Sequence, residues 1–218
     1  MSRTVLYRQL PGEGLERFIA EFRRSAARDP FATILIVPTS HLARRIVHRL
    51  GKEGIPVIAD TVTTLPGFAR KVVLAHATSE TLISATESRL ILARLLAAGR
   101  CPLLSGSGAV EELATLFEVL IMRKVEYPAA LGDLASQKSA EIARLLDAYL
   151  QFLDEHRLVD ESTLYSRAMR VIAGEGVGFR TVYVYGLFEP MPLERDLLLA
   201  LRQSADEFYY MLPYAPNP

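Results

Sequence analysis

The sequence predicts an α/β protein: a parallel sheet with helices on both faces and an all-helical insertion. Three observations predict it. Strand-like and helix-like segments alternate over residues 1–83. Residues 84–174 carry helical periodicity with almost no strand signal. A strand–helix–strand pattern then returns over residues 175–218. Alternating units of this kind imply parallel strands joined by right-handed crossovers.

The elements follow in order. Thr4 to Leu10 reads as a short strand, and Pro11-Gly12-Glu13-Gly14 as a turn. Leu15, Phe18, Ile19 and Phe22 recur at helical spacing, and Asp29-Pro30 stops that helix. Ala32 to Val37 is a continuous apolar run, β-branched at Thr33, Ile34, Ile36 and Val37. Such a run suits a strand buried on both faces. Pro38-Thr39-Ser40 turns the chain, with Ser40 as the expected N-cap of a helix from His41 to Leu50. Pro56 to Ala59 reads as the third strand, and Thr63 or Thr64 as the cap of a helix running to Val73.

Ser84-Ala85-Thr86-Glu87 is a capping box before an amphipathic helix, Ser88 to Ala98. Ser105-Gly106-Ser107-Gly108 is a joint, and helices follow at about 109–124, 137–156 and 161–173. Thr181 to Tyr185 reads as a strand, residues 191–203 as a helix with Pro192 in its first turn, and Asp206 to Leu212 as the closing strand. The final run, Pro213-Tyr214-Ala215-Pro216-Asn217-Pro218, reads as a linker, so the chain is expected to be a piece of a longer protein.

Half of the 218 residues are hydrophobic and 25 basic residues balance 25 acidic ones, which excludes a disordered chain. No apolar run approaches the roughly 18 residues of a membrane span, and the N-terminus has no apolar signal-peptide core. A single cysteine, Cys101, excludes an internal disulfide framework, and a reducing cytoplasm is the default compartment. The charge is uneven. Residues 1–50 hold nine arginines and four acids, whereas residues 101–218 hold ten basic and seventeen acidic residues. That polarity suits a basic half facing a partner; solvated helix faces that happen to differ are the plain alternative.

Several chemistries fall away on inspection. A phosphate-binding loop needs glycines for backbone approach, a lysine for phosphate charge and a Ser/Thr for magnesium. Gly12, Gly14 and Arg17 keep a trace of such a loop, but Leu15 and Glu16 stand where the lysine and hydroxyl belong. An ordinary tight turn is the favoured reading. After the strand Thr181 to Tyr185 only Glu189 is acidic, so no competent magnesium site is read there. His41 and His48 share a helix face two turns apart but lack a third ligand, so no metal is expected. No Gly-x-Ser-x-Gly elbow is present, and no catalytic residue is assigned.

One pattern survives. Thr39, Ser40 and His41 open a helix that continues with Arg44 and Arg45; Thr64 opens another that continues with Arg70 and Lys71. Hydroxyls and backbone amides at helix N-termini hold phosphate, and both turns follow predicted parallel strands, where α/β sheets bind ligands. The alternative is that Ser40 and Thr64 are merely caps.

Together these segments resemble the N-terminal, helicase-like region of AddB, a subunit of a bacterial helicase–nuclease, and related RecB-like nucleases built on an inactivated superfamily 1 helicase fold. The resemblance is carried by Ile34 to Ser40, Val62 to Val72, His156 to Asp160 and Val182 to Glu194, in that order and spacing. It implies a P-loop-NTPase-like sheet, a 1A-like domain over residues 1–83 and 175–218, and a 1B-like helical insertion over residues 84–174. It implies that Thr39, Ser40 and Thr64 touch the backbone of single-stranded DNA, that a helicase/nuclease subunit is the partner, and that the parent is an ATP-dependent exodeoxyribonuclease subunit in double-strand-break repair. No cofactor is expected in this segment, and Leu15 and Glu16 depart from the family's nucleotide loop. Tyr209, Tyr210 and Phe208 are candidates for base stacking by residue type, some of them expected in the core. The rival expectation is a protein–protein scaffold whose apolar helices between residues 88 and 156 dock a partner.

Overall fold

Strand β1 (Arg3–Gln9) and helix α1 (Gly14–Arg28) open the chain, followed by β2 (Thr33–Val37), α2 (Ser40–Lys52), β3 (Val62–Thr64) and α3 (Leu65–His76). The computed structural model describes residues 3–9, 14–55, 58, 61–76, 79–104, 106, 108–125 and 137–213. After α3 come β4 (Thr81–Leu82), α4 (Ala85–Leu95), a π-helical turn (Leu96–Arg100), a 3-10 turn (Pro102–Leu104), α5 (Ala109–Met122) and α6 (Gln137–Glu155). Then follow β5 (Leu158–Val159), α7 (Leu164–Glu175), β6 (Thr181–Tyr185), α8 (Pro192–Ser204) and β7 (Glu207–Pro213).

The contacts divide the chain into two units, one of Met1–His76, Ala168–Pro190 and Glu194–Pro218, the other of Ala77–Arg167 and Met191–Leu193. The first is an α/β unit. Its five strands run in the order β1-β7-β6-β2-β3, every neighbouring pair parallel. P-loop folds share such an architecture with other doubly wound α/β proteins. All five residues of β2 are buried, as the β-branched apolar run requires of a strand covered on both faces. Leu35 and Val37 of β2, Tyr183 of β6, and Tyr209 and Met211 of β7 point to one face. There they meet Phe18, Ile19 and Phe22 of α1 and Ala43, Ile46 and Leu50 of α2. The alternate residues Ile34, Ile36, Val182, Val184 and Phe208 are equally buried. Tyr183 and Tyr209 stack at 4.5 Å, and Phe22 meets Tyr183 edge-on at 5.7 Å.

The second unit is mainly helical. Leu92 of α4, Leu113 and Phe117 of α5, and Leu145, Leu146, Tyr149 and Leu153 of α6 form its core. Ser84 caps α4 with the predicted capping box, its hydroxyl accepting the Glu87 N–H and its N–H donating to the Glu87 carboxylate. Within residues 84–174 the one described strand is the two-residue β5, as the near absence of strand signal predicts; it pairs in parallel with β4, which lies just before that block. The segment His156 to Asp160 turns the chain at His156 and Arg157, with Arg157 in the left-handed region at φ 53°, and then supplies β5.

Further boundaries move. The third strand lies at Val62–Thr64, because β2 draws that segment into register, pairing Leu35 with Val62 and Val37 with Thr64. Of the expected strand Pro56 to Ala59 only Ile58 is among the described residues, and it is not in a strand. α2 runs past Gly51 to Lys52, and Gly54 at φ 70° supplies the left-handed residue beyond its end. α4 starts at Ala85 rather than Ser88. Of the expected turn Pro11 to Gly14 and the expected linker Pro213 to Pro218, residues 11–13 and 214–218 lie outside the described residues, while Gly14 opens α1 and Pro213 ends β7.

Candidate nucleic-acid interface

The site is built by two neighbouring parallel strands that end level. Val37 pairs with Thr64; β3 runs directly into α3, and the two-residue turn Pro38-Thr39 joins β2 to α2, so the N-termini of α2 and α3 emerge beside each other at the carboxyl edge of the sheet. Thr39 is the N-cap of α2. Its backbone is extended at φ −136° and ψ 146°, and its hydroxyl accepts the Leu42 N–H at 3.2 Å. Ser40 was expected in that role and is instead the first helical residue, exposed to solvent. The shift has a simple cause: β2 ends at Val37, and Thr39 is the residue still held extended where a hydroxyl can reach the third amide on.

Thr64 does the same for α3, its hydroxyl accepting the Gly67 N–H at 3.2 Å. Gly67 leaves room for this. A Cβ there would stand 2.5 Å from Thr63 Oγ1 and 3.2 Å from Thr64 Oγ1, so both hydroxyls close on the first turn of α3. One threonine per helix is therefore committed to capping. The amides of the first turns and the exposed Ser40 hydroxyl remain as groups an anion can meet.

A third loop joins the edge. β6 ends at Tyr185, and Gly186 follows at φ 76°. A Cβ on Gly186 would stand 3.0 Å from Cγ and 3.1 Å from Cδ of Pro38, so the turns after β6 and β2 press together. The Tyr210 hydroxyl donates to the Leu187 carbonyl and ties the β6–α8 loop to β7. Between Tyr185 and Phe188 no acid is present, and Glu189 is exposed.

The electrostatics favour an anion. α2 contains no acidic residue. His41, Arg44, Arg45 and His48 all lie on its exposed face, opposite the buried Ala43, Ile46 and Leu50. The nearby acids are engaged within the unit. Glu16 of α1 receives both guanidinium nitrogens of Arg49 at 2.5 and 2.6 Å. Glu53 takes Arg49 at 3.2 Å and Arg23 at 3.2 Å. Glu21 accepts from the Tyr7 hydroxyl and lies 3.9 Å from Arg17. The Arg49 hydrogen bonds hold the Glu16 carboxyl below its ordinary range, with the charge of Arg45 adding to the effect. Among the described residues Arg44, Arg45 and Arg24 form no ion pair.

Thr39, Ser40, His41, Arg44 and Arg45 thus share α2, and Thr64 stands beside them. Arg70 and Lys71 follow Thr64 on the other helix. They lie in the second turn of α3, whose buried residues are not part of the α1–α2 core; Arg70 is exposed, and the Lys71 ammonium sits 5.3 Å from the Phe179 ring. Of the trace nucleotide loop, Gly12 lies outside the described residues, Gly14 is the first residue of α1, and Arg17 is exposed beside Glu21. Of the aromatic candidates, Phe208 and Tyr209 are core, and Tyr210 is half-buried with its hydroxyl engaged.

Elsewhere, a cleft in the helical unit is lined by Ser88, Arg89, Tyr149, Asp160 and Ser162. Its buried carboxylate is structural. Asp160 accepts from the Tyr149 hydroxyl at 2.7 Å, the Ser162 hydroxyl at 2.9 Å, the Thr163 N–H at 2.8 Å and the Thr163 hydroxyl at 2.6 Å. Cys101 is buried, its thiol donating to the Glu141 carbonyl at 3.6 Å. Among the described residues no group of three or more His, Cys, Asp or Glu is placed to hold a metal ion, and no helix is long and apolar enough to cross a membrane. No family model matches the chain, and no curated protein sequence matches it.

Two features escaped the sequence reading. The pairing of Arg49 with Glu16 joins residues 33 apart and has no local signature. Phe188, 48% exposed, was legible only as the residue where a magnesium-binding acid is missing.

Proposed function

We propose that this chain is a non-motor, helicase-like domain that holds single-stranded DNA by its backbone, as part of a helicase/exonuclease that processes DNA double-strand breaks. One observation carries the proposal. Two helix N-termini open side by side at the carboxyl edge of a parallel sheet, and one of them continues as an acid-free helix with unpaired arginines on its outer face. Backbone amides and the Ser40 hydroxyl would take one phosphate, and Arg44 and Arg45 the neighbouring ones. Motor chemistry is not part of the proposal, because Glu16 stands salt-bridged to Arg49 where phosphate would approach the α1 N-terminus. A helicase/nuclease partner subunit belongs to the same reading and is drawn from the resemblance alone; a cytoplasmic setting is drawn from the single cysteine and the N-terminus without an apolar signal-peptide core. The scaffold alternative is less favoured, since the apolar residues of α4, α5 and α6 are largely used in the core of their own unit.

The test is fluorescence anisotropy of a labelled single strand across a salt series. Each phosphate neutralised contributes about 0.7 to the log–log salt slope of single-strand binding. The Arg44→Ala/Arg45→Ala variant should bind more weakly and lose about 1.4 from that slope. Equal binding and equal slope in the variant would remove α2 from the DNA path.

A further inference from the structure

Phe188 presents an aromatic ring partly to solvent in the loop that follows β6. Phenylalanine is among the residue types most often fully buried, and Phe188 keeps 48% of its surface in solvent. Its backbone is nonetheless firmly placed. Gly186 abuts Pro38, the Tyr210 hydroxyl holds the Leu187 carbonyl, and Pro190 and Pro192 restrict the chain beyond it. Two residues before Phe188 is the glycine that touches the β2–α2 turn, and that turn leads into Thr39, Ser40 and the arginines of α2. An aromatic side chain on a loop held against the turn that opens a cationic helix offers the two parts that single-strand binders combine: charge follows the backbone, and rings stack on the bases.

We propose that Phe188 stacks on an unpaired base of the strand whose phosphates run along α2, and so makes the site select single strands over duplexes. The proposal rests on the backbone-binding reading above and adds to it a base contact and a basis for selectivity. Paired bases in a duplex are already stacked on one another and offer no face to a protein ring, whereas an unpaired base does. It also replaces Phe208, Tyr209 and Tyr210 in the base-stacking role, since the first two lie in the core and the third fixes the loop that carries Phe188.

The experiment compares Phe188→Ala, Phe188→Tyr and Arg44→Ala/Arg45→Ala on two probes, oligothymidylate and an abasic phosphodiester strand of equal length. Loss of one stacked base corresponds to a fall of about 5- to 150-fold in affinity. Phe188→Ala should show that fall on oligothymidylate, no change on the abasic strand and an unaltered salt slope, while Phe188→Tyr retains binding. The arginine variant should weaken both probes. If Phe188→Ala binds oligothymidylate like the parent while the arginine variant does not, the stacking proposal is overturned and the backbone reading stands. If the parent binds neither probe, both fall. Near-ultraviolet circular dichroism of Phe188→Ala checks that the fold is intact.

Discussion

Replacing Gly186 by alanine puts a methyl group where the ring of Pro38 stands. Two penalties add. An L-residue at φ 76° lies in the left-handed region, at about 1–2 kcal/mol. The new Cβ would also stand 3.0 and 3.1 Å from two ring carbons of Pro38, and relieving that crowding costs about 1–3 kcal/mol. Gly186→Ala should therefore destabilise by about 2–5 kcal/mol. Pro38→Ala removes both crowding atoms and leaves the backbone term, so in that background the same change should cost only about 1–2 kcal/mol. The assay is urea unfolding of the four members of the double-mutant cycle, followed by tyrosine fluorescence; Tyr183 and Tyr209 report on the sheet. A Gly186→Ala variant as stable as the parent, or one whose cost ignores Pro38→Ala, would refute the close approach of the two turns. Because the contact holds the loop that carries Phe188 against the β2–α2 turn, Gly186→Ala should also weaken single-strand binding without altering any charge.

Other outcomes follow from the same geometry. Phe22→Ala removes a fully buried ring edge-on to Tyr183 and should cost about 3–5 kcal/mol in urea unfolding. Asp160→Asn places an amide against donors now served by a carboxylate and should destabilise the helical unit by about 2–4 kcal/mol, read by thermal melting. Burial first, and then a hydrogen bond to Glu207, pushes the Tyr209 hydroxyl up to about 12, and burial raises Tyr7 and Tyr183 as well. These groups bind their protons more tightly folded than unfolded. Their stabilisation is thus present below the ordinary tyrosine value of about 10 and is lost as pH rises from there through about 12. Tyrosinate absorbance of the stacked group should therefore appear together with alkaline unfolding; titration of every tyrosine near pH 10 in a folded chain would contradict this.

The parts of the fold legible in the sequence are those with a short-range cause. The run Thr33 to Val37 has no polar face, so its double burial is written in its composition. The Ser84–Glu87 capping box is complete within four residues. What escaped depends on partners far along the chain. β3 is three residues long and is defined by its register against β2. β4 and β5 hold two residues each and exist only because Thr81 and Leu82 meet Leu158 and Val159 across the helical unit. At the site, the cationic face of α2 was readable from Arg44 and Arg45, because helical spacing places them away from Ile46 and Leu50. The choice between Thr39 and Ser40 as cap was not, since both hydroxyls suit the role and the backbone angle decides. The placing of the Lys71 ammonium 5.3 Å from the Phe179 ring joins residues more than a hundred apart, which adjacency in sequence does not convey.

The path of the strand is the most direct test of the account. A single strand carrying 5-iodouracil, photocrosslinked to the protein and mapped by mass spectrometry, reports which residues the bases and backbone touch. The account predicts crosslinked peptides containing Pro38 to Arg45 and Gly186 to Glu189, with Phe188 the principal site. Crosslinks confined to the helical unit, or none above a bovine albumin control at low salt, would contradict it.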